Sequence, residues 1–122
     1  MNAAIVLVCL APGTVTELTS HRLRLWVYRA PWLRVASVVI TFGLVFGWVA
    51  SRLQANSALE QFGVGAGLGV AYEAVNLLWL HAWSFPGDRL LFLRGRLALI
   101  LGAGIPWGIL PVVAPVVAKL VA

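Results

Sequence analysis

The chain has 122 residues, 61% of them hydrophobic and only 11% charged, with a mean hydropathy of +0.95. A soluble domain carries about a quarter charged residues, and one this small keeps too much surface exposed to hide so much apolar matter. That excludes an ordinary water-soluble domain and predicts an all-α, polytopic integral membrane protein.

The net charge is +5 and the isoelectric point lies near 10.8. The arginines nevertheless fall in two short clusters and form no long basic face interleaved with aromatics, so nucleic acid is not an expected partner. A membrane-crossing helix needs about 20 apolar residues, and four segments come near that length. They make one membrane domain over residues 1–122.

The first span is expected over residues 2–20. Its opening, MNAAIVLVCLAPG, has no Lys or Arg before the apolar run, and Val8 ahead of Cys9 fits a lipoprotein cleavage site poorly. It therefore reads as a retained helix and not as a removed signal. Cys9 is the single cysteine, which excludes an intramolecular disulfide and leaves a small buried hydrophobe. Glu17 shares a helical face with Ser20, His21 and Arg24 near the end of this span. We expect it to be solvated at the membrane edge, with His21 one turn on as its modest i,i+4 partner.

A basic aromatic loop, HRLRLWVYRAPWLR (21–34), leads into a second span over 33–53 with Arg34 and Arg52 at its edges. The third span is expected over 61–85 and contains Glu73. The fourth, over 97–121, carries Lys119 near its end and is interrupted by Pro106, Pro111 and Pro115. Each proline removes a helical hydrogen bond and crowds the preceding turn, so this helix should be kinked and packed against protein, or else divided into two parts or reentrant.

The positive-inside rule places the basic loops 21–34 and 86–96 in the cytoplasm and both termini outside, as for a protein of a bacterial inner membrane. Trp26, Tyr28, Trp32 and Trp83 collect at the cytoplasmic ends, and Trp48 belongs near the opposite face. Glycines stand four apart at Gly43 and Gly47, Gly63 and Gly67, Gly65 and Gly69, and Gly104 and Gly108, a spacing that lets helix backbones approach closely in lipid. Internal bundle packing accounts for most of these pairs; one could serve a homodimer. The run GVGAGLG lacks the third glycine and the preceding strand of a dinucleotide fingerprint.

The two halves, 1–56 and 57–122, align as tandem two-helix repeats. Gly13 to Ser20 (GTVTELTS) matches Gly69 to Asn76 (GVAYEAVN), so that Glu17 falls on Glu73. Further on, Arg34, Gly43 and Trp48 find Arg94, Gly102 and Trp107 once a gap is allowed. Two spans per half would make a parallel repeat, with chance similarity as the alternative.

Glu73 is the main candidate for function. Gly65, Gly69, Glu73 and Asn76 lie on one helical stripe, while Trp79 and Trp83 of the same expected helix point away from it. Ionisable groups within spans face the bundle interior and mark function by default. Glu73 could be a neutral acid bonded to Asn76, an ion paired with Arg24 or Arg94, or a site for a proton or cation. Glu73, Asn76 and Glu17 are the primary ligand or proton-site residues; His81, His21, Arg24 and Arg94 are secondary. His81 near a membrane interface most simply snorkels or caps its helix, with axial ligation of a macrocycle as an alternative. No Glu-xx-His or His-xxx-His pair supports a metal site, and no Ser, His and carboxylate group as a triad.

In length, span number and the use of an intramembrane glutamate, the chain resembles the small multidrug resistance transporters. The likeness stops at that format, because here the mid-span charge lies in the third helix and a long basic loop joins the first two. Three functions follow in order. The first is a small non-catalytic membrane subunit that binds or scaffolds other membrane chains, or itself. The second is a homo-oligomeric proton- or cation-coupled transporter using Glu73. The third is a membrane enzyme acting on a lipophilic substrate.

Overall fold

A computed structural model describes residues 1–121. Four helices are long and apolar enough to cross a membrane: α1 (Ala3–Leu23), α2 (Pro31–Arg52), α3 (Ala58–Leu80) and α4 (Arg96–Val121). Asn2 starts α1 by accepting the Ala4 and Ile5 N–H groups on its side-chain oxygen at 3.0 and 3.3 Å, which satisfies donors that no helical carbonyl can reach. Pro31 opens α2, where its missing N–H costs nothing. Ser57 caps α3 by accepting from the Glu60 N–H at 3.2 Å.

The third helix ends at Leu80, five residues short of the expected Phe85. Its last turn, Asn76–Leu80, widens to π-helix, and His81 then takes a left-handed conformation with φ 50. That single residue turns the chain back, so Trp83 leaves the helix and joins a loop strand. The first helix stops the same way, at left-handed Arg24 with φ 52. In both cases an N–H five residues on bonds the terminal carbonyl: Leu25 to Ser20 at 3.1 Å, and His81 to Asn76 at 2.7 Å.

The two connecting loops meet at one end of the bundle. Strand β1 (Val27–Tyr28) pairs antiparallel with β2 (Trp83–Ser84), Val27 opposite Ser84 and Tyr28 opposite Trp83. A second small hairpin, β3 (Arg89–Leu90) with β4 (Leu93–Arg94), precedes α4. At the opposite end the Asn2 N–H bonds the Ser51 hydroxyl at 3.0 Å.

Helix α4 is locally interrupted at Ala103, between Arg96–Gly102 and Gly104–Val121, while Ala103 itself keeps a helical backbone. Pro106 lies just beyond the break and cannot return a bond to Gly102, whereas Pro111 and Pro115 are carried within the helix. Pro111 likewise leaves the Trp107 carbonyl without its helical donor. That carbonyl lies directly against Gly65 of α3, where any Cβ would collide with it. The glycine thus lets the two helix backbones come into direct contact at this carbonyl.

Helix contacts recur in the two halves. A Cβ on Gly43 would meet Leu10 and one on Gly47 would meet Val6; a Cβ on Gly104 would meet Ala66 and one on Gly108 would meet Phe62. Val6 and Leu10 stand four apart in α1, as Phe62 and Ala66 do in α3. Gly104 meets Val70 as well as Ala66, and Gly102, the expected match of Gly43, touches Leu93 of the loop.

Between the pairs, Trp107 of α4 stacks on Phe46 of α2 at 4.5 Å between ring centroids, with Phe42 at 4.6 Å. Ile5, Cys9, Ala50, Ala114 and Ala118 fill the core towards the termini. Leu77, Phe85 and Leu99 fill it beneath the loops, with Trp26, Trp83 and Leu93 packed around them.

Candidate functional site

Glu17 lies in the last turns of α1, where the chain reverses through Arg24 and brings the following loop back over the helix. It is 4% exposed. Its Oε1 accepts from the Tyr28 hydroxyl at 2.6 Å, and its Oε2 accepts from Trp26 Nε1 at 3.3 Å and Arg34 Nη1 at 3.2 Å. The same arginine nitrogen donates to the Glu17 carbonyl at 2.6 Å and to the Ser20 hydroxyl at 2.7 Å. The guanidinium also lies 4.9 Å from the centre of the Tyr28 ring. Burial, and then the bond to Glu17, raise the Tyr28 pKa above the ordinary tyrosine value.

Glu73 lies near the end of α3, before its π-helical turn, and is 6% exposed. Asn76 Nδ2 at 3.2 Å and Trp83 Nε1 at 2.9 Å both donate to its Oε1. Asn76 holds Trp83 in place through its amide, donating to the Trp83 carbonyl at 2.9 Å and accepting from the Trp83 N–H at 3.1 Å. Among the described residues no donor reaches Oε2, and the one ion pair is Arg34 with Glu17. Every fully buried side-chain polar atom among the described residues has a partner, so Oε2 keeps some exposure, and Glu73 lines a cavity.

That cavity measures about 250 Å³ and lies between the halves, beneath the strand bridge. Both glutamates reach its wall, together with Trp26, Tyr28 and Trp83 from the loops, Phe42 from α2, Tyr72 from α3 and Trp107 from α4. The wall is mainly apolar, with aromatic rings from every side and the two carboxylates as its charged groups among the described residues.

No protein family, curated protein or solved structure matches the chain.

Of the residues singled out in the sequence, Glu17, Glu73 and Asn76 come together at this one cavity wall or directly behind it. His21, His81, Arg24 and Arg94 are exposed at the loop end of the bundle. The expected solvated Glu17 with a His21 partner is corrected: Glu17 is buried and holds Arg34. Neither Arg24 nor Arg94 forms an ion pair with Glu73. His81 acts at its helix end through its left-handed backbone.

Sequence reasoning missed Trp26, Tyr28, Arg34 and Trp83 as site residues. Trp83 was set on a helical face pointing away from Glu73, and the helix stop at His81 reverses that. Arg34 reads from sequence as a topology signal, yet it is the internal counter-ion. One signal was available: an indole follows each glutamate at nearly the same distance, Trp26 after Glu17 and Trp83 after Glu73. No group of three or more His, Cys, Asp or Glu side chains suited to a metal occurs among the described residues.

Proposed function

We propose that the chain is an integral membrane protein made of two tandem copies of a two-helix unit, 1–56 and 57–122, with its basic loops cytoplasmic and both termini outside. The repeated contacts at Gly43 and Gly104 and at Gly47 and Gly108, and the alike endings of α1 and α3, support the duplication. The arginine-rich loops that meet at one end support the orientation.

Its function, on this reading, is to bind a small molecule between the copies as a membrane carrier, with Glu73 as the group that takes and releases a cation or proton. The observation that carries the proposal is the cavity itself. An apolar, aromatic space with a few convergent polar groups is the usual form of a small-molecule site, and here two intramembrane carboxylates reach it. Exposed side chains such as Leu78, Trp79 and Ile109 are what contact with lipid requires.

Native mass spectrometry of the protein gently extracted from its own membrane tests the proposal. Ala103 lines the cavity, and Ala103→Phe would fill part of it. A small molecule that co-purifies with the wild type and is lost from this variant is the expected result. Unrelated membrane proteins in fixed ratio, with no bound small molecule, would overturn it in favour of an accessory subunit.

A further inference from the structure

We infer that the β3–β4 hairpin is a binding site for an anionic phospholipid, with its apolar turn in the acyl region and Arg89 and Arg94 sharing the lipid phosphate. The inference rests on the membrane reading, and not on the cavity or its contents.

The hairpin has two unlike faces. Leu90 and Leu93 pair across it and pack against the core of Leu77, Phe85 and Leu99. Side chains alternate between faces along a strand, so Arg89 and Arg94, the next pair, point away from that core, and both are exposed. The Gly95 N–H bonds the Asp88 carbonyl at 2.8 Å. Arg89 therefore stands opposite Arg94 in a non-hydrogen-bonded pair, the kind that brings side chains closest. Like charges directly opposite each other destabilise a sheet. Among the described residues neither arginine has a carboxylate partner, and the adjoining Asp88, exposed and left-handed at φ 48, pairs with neither. Two guanidinium forks on one side of a ribbon suit a phosphate, whose charge offsets their repulsion.

The turn of the hairpin selects the lipid form of that phosphate. Leu93 lies against Gly102, six residues and about 9 Å along α4 from Arg96, so the hairpin folds back along the helix towards the bilayer. Its turn carries Leu91 and Phe92, 78% and 84% exposed, and Phe92 is the most exposed large apolar side chain among the described residues. Leu91 holds φ 54, where a tight hairpin turn ordinarily places Asn, Asp or Gly. Water and backbone geometry both disfavour Leu-Phe here. Lipid accommodates it, with apolar side chains in the acyl boundary and arginines at the anionic headgroups.

Native mass spectrometry in detergent, with phosphatidylglycerol or phosphatidylcholine added, tests the headgroup. Phosphatidylglycerol should be held at least about tenfold more tightly, and excess inorganic phosphate should not displace it. Arg89→Gln with Arg94→Gln should lose the preference. Arg22→Gln with Arg29→Gln, which removes the same charge from exposed positions of the first loop, should keep it. A nitroxide on Phe92→Cys, in a Cys9→Ala background in nanodiscs, tests the turn by its relaxation with oxygen against a water-soluble nickel chelate. The same label on Ile109→Cys, an exposed site within α4, reports whether the chain spans at all. Both labels should lie in lipid. Equal affinities for the two lipids, a preference that survives Arg89→Gln with Arg94→Gln, or equal loss in the two double variants would overturn the proposal. So would displacement by inorganic phosphate, or a label at 92 in water while that at 109 is in lipid. A label at 109 in water would overturn the membrane reading itself, and the lipid site with it. Should the Arg89 and Arg94 double variant not fold, Arg94→Gln alone takes its place, with the same loss expected.

Discussion

Tyr28 and Trp83 face each other across the two-residue strand bridge, their rings 5.9 Å apart, and each donates to a different glutamate. Tyr28 reaches Glu17 of its own half at 2.6 Å, and Trp83 reaches Glu73 of its own half at 2.9 Å. The bridge therefore joins the two carboxylate sites through a pair of neighbouring donors. Backbone pairing positions the rings, and the rings position the acids.

Removing either donor should weaken the fold in proportion to the bond lost. In Tyr28→Phe, Glu17 Oε1 is left with no donor, while Trp26 and Arg34 still hold Oε2. Hydrogen bonds to charged groups contribute about 1.5–3 kcal/mol, so the midpoint of thermal unfolding in detergent should fall by several degrees. An unchanged midpoint would show that the Tyr28 bond contributes nothing.

Arg34 should matter more than its surface-loop position in the sequence suggests. One nitrogen serves three acceptors, and the side chain is 19% exposed against 6% for that of Glu17. Breaking a buried pair on one side costs about 3–5 kcal/mol, because the remaining charge is left uncompensated. Arg34→Met should therefore destabilise strongly, and the double variant Glu17→Gln with Arg34→Met should recover much of the loss. The thermal midpoints of the two singles and the double close the cycle, and additive losses would rule the pairing out as a source of stability.

Much of the frame was legible before the structure because hydropathy speaks directly to helix length. The four helices begin or end within a few residues of their expected limits, except where α3 stops early. That exception hid half of the site. A left-handed residue such as His81 leaves no trace in hydropathy, and the helical wheel keeps running through Trp83 as though the chain went straight on. Glu73 and Asn76 were found because they share the face of Gly65 and Gly69, a local property. Arg34 was missed because its partner, Glu17, lies across a chain reversal that only the loop's fold defines.

The glycines make a sharper test, since the four-residue spacing alone does not tell which ones are needed. A Cβ on Gly69 would strike the ring and Cβ of Trp107, whereas one on Gly67 would meet nothing within 4 Å. Gly69→Ala should destabilise by roughly 1–3 kcal/mol, the usual cost of overpacking. Gly67→Ala should be neutral or should stabilise by about 0.5–1 kcal/mol, because alanine loses less backbone freedom in a helix. If Gly67→Ala were instead the damaging change, with Gly69→Ala tolerated, the face carrying Gly67 would be the packed one.

Tyr28 gives the fold a dependence on alkaline pH. Burial and the bond to Glu17 favour the neutral phenol, so the folded state holds its proton above the ordinary value of about 10. Below that pH both states are protonated and Tyr28 has no influence on stability with pH. As pH rises past it, the unfolded chain loses the proton first, the folded state binds more protons than the unfolded one, and stability falls. The chain has two tyrosines, so Tyr72→Phe isolates the signal. Tyrosinate absorbance in that variant should appear late and together with the loss of helical circular dichroism. Titration near the free-tyrosine value with the helices intact would mean that Tyr28 is open to water, and would undo the buried bond to Glu17.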